Sequence, residues 1–231
     1  MMRAQASVRK KEILIVFTLS LAAFMGALDV SIVNISMPTI ARCFQISTGD
    51  VSWVILVYLL LLSSFLPAFG RLGDIKGFRK IFICGFAVFA AGSFFCGASL
   101  NFSELIGARI IQATGAAMLS AIAPSMVSAY LPQKIRGQVL GYVTTFASLG
   151  IAVGPVAGGF ITQYLSWRWI FFINVPVGIA GIFLGIAFLP QVKPNSPDKK
   201  FDFPGAELIF LSLLSLLYGL NMGNEAGWTS R

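Results

Sequence analysis

The 231-residue sequence contains no histidine. That absence excludes imidazole-based catalysis and the usual titrating switch near neutrality, so any proton chemistry must rest on carboxylates. Charge is scarce too: Asp, Glu, Lys and Arg make up 11% of the chain, and only nine of them are acidic. A soluble domain would need more polar surface than this. Cysteine is limited to Cys43, Cys84 and Cys96, without metal-ligand spacing, and these are expected to act as small core hydrophobes. No nucleotide-binding loop, metal cluster or catalytic constellation is present, so an enzyme is disfavoured and no cofactor or metal is expected. The net charge of +8 raises the question of nucleic acid. The basic residues lie in short clusters between apolar runs, with no RNA- or DNA-binding motif, and nucleic acid is therefore not an expected partner.

What is present is hydrocarbon: 57% of the residues are hydrophobic and the mean hydropathy is +0.83. Apolar runs at about 13–37, 51–69, 81–99, 104–126, 137–160, 169–189 and 205–221 each suit a helix long enough to cross a bilayer. The first is not followed by a signal-peptidase site and is kept as a span. The expected organisation is an all-α, multi-pass membrane protein. It has a cytoplasmic tail (1–12), a six-helix transmembrane bundle (13–189), a Pro- and Lys-rich cytoplasmic linker (190–204), and a seventh helix with its outer end (205–231). Orientation follows from Lys and Arg. With the N-terminus inside, thirteen basic residues fall in the cytoplasm, including Lys76, Lys134, Lys193, Lys199 and Lys200, and three (Arg42, Arg168, Arg231) fall outside.

Polar residues within the spans narrow the function, because a charge at the bilayer centre costs roughly 2.5 to 3.5 kcal/mol even on insertion scales. Asp29 lies in the outer part of the first span, in LDVSIVNISMP, followed by Asn34. It is either hydrated near the interface or held among apolar neighbours, where a carboxylate can serve as a proton carrier. Arg109 and Gln112 stand three residues apart in the fourth span and project from one helical face. Arg109 cannot release its proton; it either reaches back to the headgroups or holds an anionic partner. In the fifth span Gly150, Gly154 and Gly158 recur every four residues and form a strip without side chains. Another helix can press directly against such a strip, and Pro155 within it favours a bend. Plain helix packing and a sliding contact both fit that pattern. Between spans two and three, GRLGDIKGFRK combines turn-permitting glycines with Asp74, Lys76, Arg79 and Lys80 and is expected to be a cytoplasmic loop.

These segments resemble the major facilitator superfamily. The loop is similar to its signature at Gly70, Leu72, Asp74, Gly77, Arg79 and Lys80, with Ile75 and Phe78 at two positions that are often basic. The segment with Arg109, Gln112, Gly115 and Ala117 is similar to the fourth-helix motif of proton-coupled members, with Ala113 where glycine is usual. Gly141, Gly150, Gly154, Pro155, Gly158 and Gly159 resemble the fifth-helix antiporter motif. LDVSIVNISMP, WRWIFFINVP (167–176) and FDFPGAELI (201–209) look like the fourteen-helix drug:proton antiporter branch.

The resemblance implies two six-helix bundles, and hence a C-terminal bundle beyond Arg231 as a partner; the chain is expected to be the N-terminal part of a transporter. It implies lipid, protons and a small hydrophobic or amphipathic substrate as further partners. Asp29 would be the proton site, with Arg109 and Gln112 controlling its charge, and Asn34 and Asn174 would be cavity-lining candidates. The Asp74 loop would act as a conformational latch and the glycine strip as a sliding contact. Metabolite export and a non-transporting remnant remain alternatives. A lone bundle is expected to expose Asp29, Arg109 and Gln112 to lipid, which would drive self-association or degradation.

The charge bias generates a topology test. Single cysteines replacing Lys76, Lys134 and Lys199 in a cysteine-free background should react with an impermeant thiol reagent only after the membrane is opened, and those replacing Asp50 and Arg168 should react in intact cells. Labelling of position 199 in intact cells reverses the orientation.

Overall fold

The computed structural model describes residues 2–192 and 201–226. Lys193, Lys199 and Lys200 of the expected linker, Arg231, and the side chains of the N-terminal basic residues lie outside the described set. Within it the chain forms α1 (Met2–Phe44), α2 (Thr48–Lys76), α3 (Phe78–Ala98), α4 (Phe102–Tyr130), α5 (Gln133–Tyr164), α6 (Trp169–Phe172), α7 (Asn174–Phe188) and α8 (Phe203–Ala226), with no strand. α6 and α7 are separated by Ile173, which itself has helical angles, and make one crossing. Seven segments are therefore long and apolar enough to span a membrane. α1 to α7 form the six-span bundle, and α8 lies against α2.

The helices overrun the apolar runs, because apolar length sets what crosses the bilayer while capping sets where a helix stops. α1 already begins at Met2, inside the segment expected to be a tail. Ser47 caps α2, accepting the Asp50 N–H at 3.0 Å and donating to the Asp50 carboxylate at 2.6 Å. Asn101 caps α4 in the same way through Glu104, whose other oxygen accepts the Leu100 N–H at 2.8 Å. In both, the cap accepts the N–H of an acid three residues on, and that acid also suits the positive end of the helix dipole.

The expected loop GRLGDIKGFRK is corrected. α2 continues as helix through Lys76, and a single residue, Gly77, with φ 93° and ψ 131°, connects it to α3. That positive φ favours glycine. Gly73, by contrast, is helical and buried, and a Cβ there would strike Ile122. Asp74 lines a groove with Ser125 and Ser128 of α4. Arg79 donates to the carbonyls of Ile186 at 2.6 Å and Gly185 at 3.4 Å. It thereby satisfies the Ile186 carbonyl, which the end of α7 leaves open, whereas the Gly185 carbonyl also accepts the Leu189 N–H at 3.3 Å.

Two helix pairs are in near backbone contact. Gly150, Gly154 and Gly158 of α5 face α1: a Cβ at Gly150 would lie 2.6 Å from the Phe24 carbonyl oxygen, and one at Gly158 3.0 Å from Ile32. At Gly154 it would strike the side chain of Ser31, whose hydroxyl donates to the Ile151 carbonyl at 2.9 Å. Gly141 and Gly159, also part of the motif, face open space. α5 runs unbroken through Pro155. The second pair, α3 and α4, meets at Gly92 and Gly115: a Cβ at Gly92 would lie 2.6 Å from the Gln112 Cα, and one at Gly115 2.7 Å from the Phe89 Cα.

The core divides into two apolar bodies. One contains Leu19, Met25, Tyr58, Phe82, Phe86, Phe89, Ile122 and Met126. The other contains Ile32, Ile40, Val54, Cys96, Leu105, Trp167 and Phe171. Cys96 is the one cysteine that joins the core; Cys43 and Cys84 are exposed, contrary to expectation, because they lie on outward faces of α1 and α3.

The α1–α5 contact yields a stability test. Gly154→Leu should lower the unfolding temperature of the detergent-solubilised chain, since overpacking costs roughly 1 to 3 kcal/mol and the obstacle here includes the α1 backbone. Val153→Leu, at a position 43% exposed, should leave it unchanged.

Candidate functional site

Three helices that contribute to both apolar bodies, α1, α3 and α4, change character at one level. On α1, Asp29 falls between Met25 and Ile32; on α3, Ser93 falls between Phe89 and Cys96; on α4, Arg109 and Gln112 fall between Leu105 and Ala113. Asn174 opens α7 just beyond Phe171. The result is a polar layer between two apolar ones, with Asp29, Ser93, Arg109 and Gln112 at 0% exposure and Asn174 at 1%.

Arg109 and Asp29 are its centre. Arg109 Nη1 donates to Asp29 Oδ2 at 2.7 Å and to Gln112 Oε1 at 2.6 Å, while Nε donates to the Val54 carbonyl of α2 at 3.0 Å. The guanidinium lies over the Tyr58 ring, 4.3 Å from its centroid. A desolvated cation gains from such a face. Gln112 Nε2 reaches Asp29 Oδ1 at 2.8 Å and Ser93 Oγ at 2.7 Å. Asn174 Nδ2 donates to the same Asp29 oxygen at 2.9 Å. The carboxylate thus receives three donors from α4 and α7. Arg109 Nη2 and the Tyr58 hydroxyl are buried without a hydrogen-bond partner among the described residues.

This geometry decides between the two readings of each charge. Asp29 is not hydrated at an interface, and Arg109 does not reach back to the headgroups. The expectation that a lone bundle exposes Asp29, Arg109 and Gln112 to lipid is also corrected, because α1, α2, α3, α4 and α7 close around them. Asn174, expected beside a cavity, is enclosed in the layer; Asn34 is exposed, about 140° round α1 from Asp29, and takes no part in it. The loop residues Gly70, Leu72, Asp74, Gly77, Arg79 and Lys80 stand apart, Asp74 being about 30 Å along α2 from Val54. The glycine strip is closer: Gly150 and Gly154 bracket the turn of α1 that carries Asp29. Sequence reasoning missed Ser93, Tyr58 and the Val54 carbonyl. Gly92-Ser93, small residues in the Phe-rich α3, were the available signal.

Chemically, the layer is a neutral ion pair whose balance depends on one titratable acid. Removing one partner of a buried pair leaves an uncompensated charge, which costs roughly 3 to 5 kcal/mol. Protonation of Asp29 would do the same to Arg109, so a change in proton occupancy here acts as a force on five packed segments.

Residues 19–225 match the Major Facilitator Superfamily model. The chain belongs to that superfamily. It is 39% identical over 220 residues, 95% of its length, to Riboflavin transporter RibZ of Clostridioides difficile. It is 32% identical over 222 residues, 96% of its length, to Multidrug resistance protein Stp of Mycobacterium tuberculosis. It is 32% identical over 225 residues to MFS-type transporter gkaD of Penicillium citrinum. The chain spans 48%, 41% and 38% of these three relatives' lengths. Superfamily membership and seven membrane-crossing helices identify a multi-pass membrane protein of a transporter family.

The polar layer predicts a coupling energy. In unfolding of the solubilised chain, Asp29→Leu and Arg109→Met should each cost roughly 3 to 5 kcal/mol, and the double variant less than either alone, because the apolar replacement no longer strands a charge. Additive losses would show that the pair is not coupled.

Proposed function

We propose that the chain is the N-terminal part of a proton-coupled exporter of hydrophobic or amphipathic compounds, working by alternating access with a second helix bundle. The observation that carries the reading is the buried Asp29–Arg109 pair at 2.7 Å. It joins the only membrane-embedded acid of the six-span bundle that is fully buried among the described residues to a cation that cannot give up its proton. When a proton neutralises Asp29, Arg109 loses its counter-charge and the layer favours a different arrangement of its helices. When the proton leaves, the pair re-forms. Access to Asp29 requires α1 to shift, and the bare strip of α5 at Gly150, Gly154 and Gly158 is the surface along which it slides. The segment around Asp74 latches the closed cytoplasmic face, with the N-terminus inside. Relatives named for multidrug resistance support a broad apolar substrate class.

Metabolite export is the second reading, favoured by the 39% identity to a protein named as a riboflavin transporter. It uses the same coupling site and differs in the cavity, part of which a second bundle would supply.

Transport by rocking of two bundles needs both. Residues 1–231 alone should give no gradient-dependent dye efflux in cells lacking their own pumps. A version extended through the second bundle should give efflux that collapses with the proton gradient and is lost on Asp29→Asn. Efflux by the 231-residue chain alone would instead indicate a dimeric half-transporter, and efflux that survives Asp29→Asn would remove Asp29 from the proton path.

A further inference from the structure

If Asp29 is the proton site, some neighbour must accommodate both of its forms. An ionised carboxylate accepts hydrogen bonds only, whereas a carboxylic acid also donates one. A buried acid whose proton finds no acceptor pays for the loss of a hydrogen bond, so the groups around Asp29 can be examined for one able to reverse its role.

Five elements face it. From α4 come Arg109, which has donors only, and Gln112. The Gln112 amide is pinned: its oxygen accepts from Arg109 at 2.6 Å and from the Cys96 thiol at 3.6 Å, and its nitrogen serves Asp29 and Ser93. Turning it over would set its nitrogen against the Arg109 guanidinium, donor against donor. From α2, Tyr58 lies against the guanidinium. From α3 come Ser93 and Cys96, whose hydrogen bonds run to Gln112. α5 presents glycines to this part of α1 and no titratable group. From α7 comes Asn174, and its side chain has a single hydrogen bond among the described residues, Nδ2 to Asp29 Oδ1 at 2.9 Å. Rotation of its amide breaks that one bond and presents the carbonyl oxygen to the same atom.

We propose that Asn174 is a positioning residue that follows the proton on Asp29: its amide donates to the carboxylate in the form seen here, and turns over to accept from Oδ1 once that oxygen is protonated. Proton uptake forms one O–H bond on Oδ1, raises the charge of the layer by one and leaves Arg109 unpaired. The Asn174 contact is exchanged and not lost, so α7 stays tied to α1 while the Arg109 contact from α4 is released. The polar layer therefore comes apart on the Arg109 side. This inference rests on the proton-site reading above and adds the direction in which the layer opens.

Infrared difference spectroscopy of the 231-residue chain in lipid nanodiscs, titrated from about pH 4 to 10, tests it through the C=O stretch of the protonated Asp29 carboxyl. Asp29→Asn assigns the band by abolishing it. The expected wild-type band has the lowered frequency of an acid that donates a hydrogen bond, and Asn174→Leu, similar in shape but without donor or acceptor, should raise it to that of a non-donating acid. An unchanged frequency in Asn174→Leu, with only the pH of its appearance altered, would show a simple donor and overturn the proposal. Should Asn174→Leu not fold, Asn174→Asp decides: two adjoining carboxyls must share a proton, so a protonated band should persist at least tenfold lower in proton activity than in wild type. A single band titrating as in wild type would overturn the contact itself. No Asp29 band in wild type would remove the proton-site reading and this inference with it, whereas a normal band insensitive to position 174 would remove this inference alone.

Discussion

A charge without water must have a counter-charge, and in this bundle that requirement fixes where five helical segments stand. Asp29 on α1 needs the cation of α4. Arg109 in turn needs the Val54 carbonyl of α2 and the Tyr58 face, and the remaining lone pairs of Asp29 call in Gln112 and Asn174. Apolar packing is indifferent to small slips and rotations, particularly in lipid, where burying a leucine between helices gains little over leaving it among acyl chains. Directional bonds to one carboxylate are not indifferent. They give the bundle a register that its leucines and phenylalanines could not supply alone.

Glycine supplies the complementary constraint. The polar layer works at these distances only if the backbones carrying it can come close, and the two tight pairs, α1 with α5 and α3 with α4, both adjoin it. Gly92 is the clearest case, since its bare face sits against the backbone of Gln112 and so lets that amide reach both Ser93 and Asp29. The two glycine contacts differ in what they adjoin. At α3–α4 the strip meets the residue that orients the acid; at α1–α5 it meets the turn that carries the acid.

Much of this was legible in the sequence. The crossings could be counted because a bilayer demands about 20 apolar residues per helix and the connections are short. Asp29, Arg109 and Gln112 stood out because polar side chains in hydrocarbon are expensive, and Asn174 entered through the family resemblance. Their meeting was not legible: Asp29 and Asn174 are 145 residues apart, and nothing local says which faces converge. Ser93 was passed over because a lone serine in a helix commonly bonds its own backbone, as Ser36 and Ser63 do here. The segment after Gly70 was misjudged because several glycines together suggest turning, yet only Gly77 turns. Helical Gly73 is there for closeness, and composition alone does not separate the two uses.

The one-residue connection at Gly77 has a consequence for how such a chain can vary. Adding or removing a residue there would rotate α3 by about 100° about its axis. Ser93 and Gly92, sixteen and fifteen residues further on, would swing away from α4 even though nothing near them had changed. A longer connector would absorb the change in slack; this one transmits it undiminished. The length of the α2–α3 junction is therefore a phase setting for the middle of the membrane, and a lineage carrying this bundle cannot lengthen it without losing that phase.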